Sequence, residues 1–424
     1  MRRILLVAFV TVLALAAWTG LWATGVIAGW SHTPIAPRGD TAAFAKAAAA
    51  KIDAEHKGVA SFALIEKGKV VATHFASTGT PVNDDTLYQV ASLSKWVTSW
   101  GVMHLVEQGK VDLDKPVDTY LKRWHLPNSG FDNRKVTVRR LLSHTAGLVD
   151  GLGYAGFKPG EKVQTVVESL THTADASPGR DGYVRVGMEP GSQWKYSGGG
   201  YTILQLMIED VSGEPFNDYM RETVLTPLGM ARSTYVLPEG GGMNIAGFYD
   251  PEGKPAIHYR FAALAAASLY TSTHDMARFI AANSKGANGE PAGRGVLKPS
   301  TLAEMRKPLA YQYGAAIWGM GNILFAENNT GDWIVGHDGD NEPAINTTAR
   351  VDPSSGDGIV VLESGNDLLA SDIGGEWTFW RTGNIDLITA VVDFNRFFPL
   401  LAGGWIAITL AGLIFGWRTW RRRA

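Results

Sequence analysis

The chain has 424 residues, 45% of them hydrophobic, with 39 basic against 41 acidic side chains and no cysteine. That length supports one large or two intimate domains around a sizeable core. The near balance of charge, with neither a basic excess nor an acidic tract, argues against nucleic acid or another polyelectrolyte as a partner. Without cysteine there is no disulfide, no thiol nucleophile and no thiolate metal site.

Residues Ile4 to Gly29 are uncharged and follow Arg2 and Arg3. The stretch is long enough to cross a hydrocarbon layer of about 30 Å. Val26-x-Ala28 offers a cleavage site, so a secretory signal competes, but the apolar core is long for a signal and an uncleaved anchor is preferred. At the other end Phe397 to Trp417 is also uncharged and runs into Arg418, Arg421, Arg422 and Arg423, a flank that disfavours a buried core helix. Arginines at the outer end of both segments place both termini in the cytoplasm and the middle of the chain outside the cytoplasmic membrane, in a periplasmic position. Trp18, Trp22, Trp30, Trp405, Trp417 and Trp420 are candidate interface anchors, although Trp18 and Trp405 lie deep for that role. The expected organisation is an anchor or signal over 1–30, a soluble domain over 31–390, a transmembrane helix over 396–418 and a basic tail over 419–424.

Within the soluble region, 61–65 and 70–75 read as a β-hairpin with Gly68 in the turn. Helical patterns follow over 94–108, 136–143, 163–173, 200–212, 216–223, 273–284 and 299–307, and strand patterns return at 333–335, 344–351 and 358–363. Strands first, helices in the middle and strands last predict one antiparallel sheet closed by both ends of the domain, with a helical insertion between. No repeat or low-complexity segment stands out, and the Gly-rich loop 151–190 is expected to vary in conformation near a site.

Three constellations carry chemistry. In Ser92-Leu93-Ser94-Lys95 a serine and a lysine share one helix face, and a buried, partly neutral lysine can take a serine proton and create a nucleophile. Trp96, Val97, Trp100, Met103, Leu105 and Val106 supply the apolar face of that helix and Gly109 ends it, which puts Ser92 in the first turn, where free N–H groups favour an oxyanion. A solvated helix face is the commoner meaning of such a pair. The second is Tyr196 before Gly198-Gly199-Gly200 at a loop-to-helix junction: a phenol whose pKa a neighbouring lysine lowers can relay protons, whereas a packed core tyrosine is the bland alternative. No G-x-x-x-x-G-K pattern accompanies the glycines, so a phosphate loop is rejected. The third is Gly336-His337-Asp338-Gly339 at a strand end, where the histidine can hydrogen-bond a substrate or the phenol and Gly339 admits a ligand close to the backbone. Asp338, Asp340 and Glu342 raise a calcium loop, but Pro343 stands where glycine is required, so no metal and no cofactor is expected.

In this order the three constellations resemble the serine β-lactamase and penicillin-recognising superfamily, nearest the class C branch with its D,D-peptidases, D-aminopeptidases and esterases. The resemblance covers roughly residues 45 to 370 and includes LLSHTAGL at 141–148, PLGMARSTY at 227–235, SLYTSTHDMARFIAAN at 268–283 and the run 336–367. It implies an α/β (α+β) fold of β-lactamase/transpeptidase type, an antiparallel sheet flanked by helices with a helical subdomain. It further implies Ser92 as the acylated nucleophile, Lys95 as its base or the group that holds the proton network, and Tyr196 as the group that protonates the leaving group and later activates water. His337 and Gly339 would line the substrate site, and the backbone N–H groups of Ser92 and Asp340 would form the oxyanion hole. His144 falls in a segment that is structural in this family.

Two departures narrow the activity. Gly198 replaces an asparagine that binds the substrate's amide in β-lactamases, and His337 replaces a lysine that meets the β-lactam carboxylate. Both point to an extracytoplasmic, membrane-anchored hydrolase of a small-molecule or cell-envelope ester or amide, with a weak β-lactamase or a non-catalytic penicillin-binding-like receptor as alternatives. Asp338, Asp340 and Glu342 could attract a substrate amine, as in a D-amino-acyl group. The oligomeric state is not legible.

Overall fold

A computed structural model describes residues 2–30, 32–150, 155–238 and 241–421. The first four residues of the loop expected to vary, 151–154, and the last three of the basic tail lie outside the described residues. The strands are β1 (Val59–Glu66), β2 (Lys69–Ser77), β3 (Tyr88–Gln89), β4 (Leu148–Asp150), β5 (Val184–Val186), β6 (Tyr270–Thr271), β7 (Ala310–Gln312), β8 (Ala315–Trp318), β9 (Ile323–Glu327), β10 (Trp333–Asn341), β11 (Ile345–Asp352) and β12 (Asp357–Ser364). The α-helices are α1 (Arg2–Ile27), α2 (Thr41–Glu55), α3 (Ser94–Glu107), α4 (Val138–Leu142), α5 (Val166–Thr171), α6 (Gly198–Ser212), α7 (Phe216–Met220), α8 (Leu264–Ala267), α9 (Thr273–Ala282), α10 (Pro299–Met305), α11 (Leu369–Thr382) and α12 (Leu387–Arg421).

Eight strands form one antiparallel sheet in the order β2-β1-β12-β11-β10-β9-β8-β7, so the first hairpin pairs directly with the last strand, as the strand-helix-strand pattern predicts. The hairpin turn has both central residues at positive φ, Lys67 at 50° and Gly68 at 75°, the geometry that matches the twist of two-residue hairpins. Alternation along β12 splits its apolar run between two layers. Ile359 and Val361 face Phe44, Ile52, Ile373 and Trp377 of α2 and α11, while Val360 and Leu362 face the larger core of Val97, Trp100, Phe279 and Ile280 on α3 and α9. Helices α4 to α8 form the insertion on the second side.

Several parts were not expected, among them the short strands β3 to β6 and the short helix α8. Strands β7 to β9 are short edge strands with few alternating positions. Helix α2 is alanine-rich and buries only a narrow stripe, Phe44, Ala48 and Ile52. Helix α11 contains Gly374-Gly375, which ordinarily weakens a helix. The site strand is also longer than expected: β10 runs through His337 and Gly339 instead of ending before them.

The two apolar segments are helices long enough to cross a membrane, over Arg2–Val26 and Arg396–Arg421. They run antiparallel, side by side. Trp18 Nε1 donates to the Leu401 carbonyl at 3.1 Å, and Trp405 Nε1 donates to Thr19 Oγ1 at 2.8 Å. Gly404 lies against the Trp18 indole and Gly412 against Thr11. The two deep tryptophans therefore join the helices to each other, which small residues make possible. Just beyond, His32 sits between Glu376 at 3.1 Å and Asp393 at 3.0 Å, and hydrogen bonding to these carboxylates, Glu376 foremost, raises its pKa to about 9.

Candidate active site

Ser92 lies one step upstream of its expected place. It occupies a tight 3-10 turn, Ala91–Leu93, that leads into α3, and Lys95 lies in the helix's first turn. Ala91 holds a φ of 46°, unusual for a residue with a side chain. The turn is fixed by Ser94, whose hydroxyl donates to the Ala91 carbonyl at 2.6 Å and accepts from the Leu269 N–H at 2.9 Å.

Lys95 is 1% exposed. Its Nζ donates to Ser92 Oγ at 3.0 Å and to the Ala266 carbonyl at 2.8 Å, and lies over the rings of Tyr196 (5.0 Å) and Tyr201 (5.7 Å). Burial brings its pKa down from 10.5 to about 7, against the pull of the Asp150 carboxylate. A usable fraction of neutral amine is thus present beside Ser92 at neutral pH.

Tyr196 is partly exposed as a residue, and its phenol interacts with Ser92. The expectation that a nearby lysine lowers its pKa is not met: burial of the phenol raises it, and the interaction with Ser92 offsets only part. Tyr196 is therefore a neutral phenol, able to donate a proton rather than to act as a standing base.

His337 is buried at the edge of the same group of rings, 5.3 Å from Trp318 in an edge-on contact. Its Nδ1 lies 2.5 Å from the Asp338 carbonyl and donates to it, which leaves Nε2 as a buried acceptor with no partner among the described residues. Burial, and then the nearby Lys95 charge, push its pKa down to about 3, so the imidazole is neutral. Gly339 serves a close approach, but to protein: a Cβ there would come within 2.2 Å of the Val90 carbonyl and 2.4 Å of Thr347 Oγ1. Thr347 Oγ1 itself donates to Val90 O at 3.0 Å, so β10 and β11 are pressed onto the Ser92 turn.

The acidic residues are placed differently from expectation. Strand alternation puts Asp338 and Asp340 on the face opposite His337, in register with Thr348 and Asn346. Asp338 is engaged by Arg350 at 3.0 Å, and Asp340 is exposed with its pKa raised by burial of its inner side and by the charges of Asp367 and Glu342. Asp338 is thus withdrawn both from a calcium loop and from an amine-binding patch.

Two further residues belong to the site: His144, which the family resemblance sets aside as structural, and Asp150, which no motif singles out. His144, at φ 56°, lies with its ring centre 4.4 Å from that of Tyr196 at a tilt of 38°, and its Nδ1 accepts from the Ser197 N–H at 3.1 Å. Asp150 accepts from Ser197 Oγ at 2.9 Å and from the Gly199 N–H at 2.8 Å, at the start of α6, and its charge acts on Lys95. Gly199 must be glycine there, since a Cβ would stand 2.6 Å from Asp150 Oδ1. A histidine needing the left-handed region and a glycine-rich helix start are the signals that could have pointed to them. Trp194 and Trp318 complete an aromatic wall around Tyr196 at 6.4 and 5.7 Å between ring centres.

A two-layered core around an antiparallel sheet, with a serine, a buried lysine and a tyrosine gathered at the head of one helix, defines a class of serine hydrolase scaffold. The profile of the Beta-lactamase family matches residues 44–377. The chain belongs to that family, within the β-lactamase/transpeptidase-like serine hydrolase superfamily. It is similar to "Penicillin-binding protein 4*" of Bacillus subtilis (strain 168), 35% identical over 150 residues, 35% of this chain and 31% of that protein. It is also similar to the esterase EstB of Burkholderia gladioli, 28% identical over 165 residues, 38% of this chain and 41% of that protein. These matches take in less than half of each relative's length. The fold is that of a D-stereospecific amidohydrolase from Streptomyces sp., with a TM-score of 0.62 at 21% identity over 81% of this chain and 99% of that one.

Proposed function

We propose that the protein is a membrane-tethered serine hydrolase whose catalytic domain acts outside the cytoplasmic membrane on an ester or amide, through an acyl-enzyme on Ser92. The observation that carries this reading is the buried Lys95 ammonium at 3.0 Å from Ser92 Oγ, with its pKa brought to about 7. Neutral Lys95 takes the Ser92 proton as Oγ attacks the carbonyl carbon, and the backbone N–H groups of Ser92 and Asp340 receive the developing oxyanion. Tyr196, neutral and beside Ser92, gives its proton to the leaving group and recovers one from the water that then cleaves the acyl ester, and Lys95 returns its proton to the released Ser92 Oγ.

The substrate preference follows from charge. A neutral, buried His337 supplies no cation for a carboxylate, and Gly198 supplies no side-chain amide, so β-lactams are poorly met. The wall of Trp194, Trp318 and Tyr196 suits an uncharged or apolar group instead. The relatives named as an esterase and a D-stereospecific amidohydrolase support an ester or D-amino-acyl amide. Tethering is supported by the paired terminal helices, whose arginines Arg2, Arg3, Arg418 and Arg421 lie at the same end of the hairpin.

Intact-mass detection of an active-serine phosphonate adduct tests the reading. One adduct on the wild type and none on Ser92→Ala is expected; no adduct, or one that persists in Ser92→Ala, refutes it. Turnover of p-nitrophenyl acetate and D-alanyl amides should exceed that of nitrocefin, and rapid nitrocefin turnover alone would make the protein a β-lactamase.

A further inference from the structure

The sheet face turned away from Ser92 holds a buried ionic knot that hydrolysis does not use directly. Arg350 on β11 is fully buried, with its guanidinium 3.7 Å from the centre of the Phe325 ring. All five of its N–H groups are engaged. Nε donates to Thr348 Oγ1 at 3.1 Å, Nη2 to Asp338 Oδ2 at 3.0 Å and the Ser371 carbonyl at 3.3 Å, and Nη1 to Thr378 Oγ1 at 3.0 Å and to Asp386.

The two carboxylates lie at different ends of the molecule's organisation. Asp338 stands between His337 and Gly339 on β10. Asp386 precedes α12 and caps it, its Oδ1 accepting from the Thr389 N–H at 2.7 Å. Helix α11 is built to let them meet. A Cβ at Gly374 would come within 2.7 Å of Arg350 Nε, and one at Gly375 within 2.2 Å of Thr389 Oγ1. The glycine pair that made α11 hard to foresee is the space through which the arginine and the start of α12 pass.

A buried ion triad is no better for stability than well-packed apolar side chains. A planar guanidinium does something they do not: it fixes the directions of three elements at once. We propose that Arg350 is a positioning residue for the Ser92 site. Through Asp338 it holds the His337–Gly339 stretch, which presses on the Ser92 turn at Val90, and through Asp386 it ties that stretch to the first turn of α12. A shift of α12 is thereby transmitted to the site. This inference rests on the hydrolase reading of Ser92.

The test uses the full chain in lipid nanodiscs, with Asp386→Asn, which keeps an oxygen for the Thr389 N–H, and Arg350→Lys, which keeps the charge but not the fork. Active sites are counted with the phosphonate, and kcat, KM for p-nitrophenyl acetate and hydrogen exchange of amides 337–341 are measured. The expected result is a fall in kcat per active site of about tenfold or more, the scale of a small misplacement of reacting groups, with KM little changed. Exchange at 337–341 should accelerate while the β1–β2 hairpin keeps its protection. A lowered melting temperature with kcat per active site unchanged in both variants would overturn the proposal, because a purely structural role predicts that outcome. Should both variants fail to fold, the uncharged triple variant Asp338→Asn/Arg350→Met/Asp386→Asn is measured, and normal kcat there overturns it equally. If the wild type takes no phosphonate, the hydrolase reading has failed, and unchanged exchange at 337–341 in Asp386→Asn still decides against the mechanical tie.

Discussion

Lys95→Met separates what the site needs from what the fold prefers. Lowering the Lys95 pKa from 10.5 to about 7 means that its protonation inside the fold is disfavoured by on the order of 5 kcal/mol. Below pH 7 both folded and unfolded chains carry the proton, and the full penalty weighs on the fold. Between about 7 and 10.5 the unfolded chain binds a proton that the folded one does not, so wild-type stability rises with pH across that window. Methionine removes the penalty but leaves the Ala266 carbonyl and Ser92 hydroxyl without the Nζ donor, a loss of about 1–3 kcal/mol. The variant should therefore be more stable than wild type by about 2–4 kcal/mol at pH 6, with the advantage gone by pH 10. Denaturant unfolding followed by tryptophan fluorescence at several pH values measures the difference. Phosphonylation of Ser92 should fall by about 10²–10⁴ in the same variant, the usual worth of a general base. A variant less stable at pH 6, or a stability difference that does not change between pH 6 and 10, would refute the account of Lys95 as a lysine kept neutral by burial.

Other consequences follow from the same geometry. The phosphonylation rate of the wild type should be half-maximal near pH 7 and drop about tenfold for each further unit of acidity, and a flat profile from pH 5 to 8 would exclude Lys95 as the base. In ¹⁵N spectra, the His337 imidazole should remain neutral down to pH 5, whereas titration near 6.5 would remove the charge argument against β-lactams. Gly199→Ala forces a methyl against Asp150 and should destabilise the domain by about 1–3 kcal/mol while slowing acylation; thermal unfolding and labelling report both. His32 has a raised pKa, so its contribution is complete below about 6.5 and is lost as pH rises through about 9; the stability gap between wild type and His32→Gln should close over that range.

What the sequence made legible was local or ordered. Ser92 and Lys95 are three residues apart at a helix start, so their contact follows from helical geometry alone. Tyr196 and His337 were found because family motifs keep their order, although no spacing rule brings residues so far apart together. Asp150 is not legible, and His144 reads only as structural, because their nearness to Lys95 and Tyr196 is decided by how β4 and the turn before it pack on the start of α6. The face of Asp338 was misjudged for a simpler reason: with the strand taken to end at 335, its period of two was not carried through 337–341. Helix α11 was hidden by its glycines, whose conformational cost is outweighed by the close packing they allow around Arg350.

Under the proposed tethering, the paired terminal helices have a consequence for release from the membrane. Because α1 and α12 each hold one end of the domain and contact each other through Trp18, Thr19, Leu401 and Trp405, a domain tethered as proposed would hang from a closed loop of chain. A protease that severs either connection alone leaves the domain attached by the other. Shedding takes two cuts, one on each side of the His32–Glu376–Asp393 cluster, so a population nicked once should still sediment with the membranes.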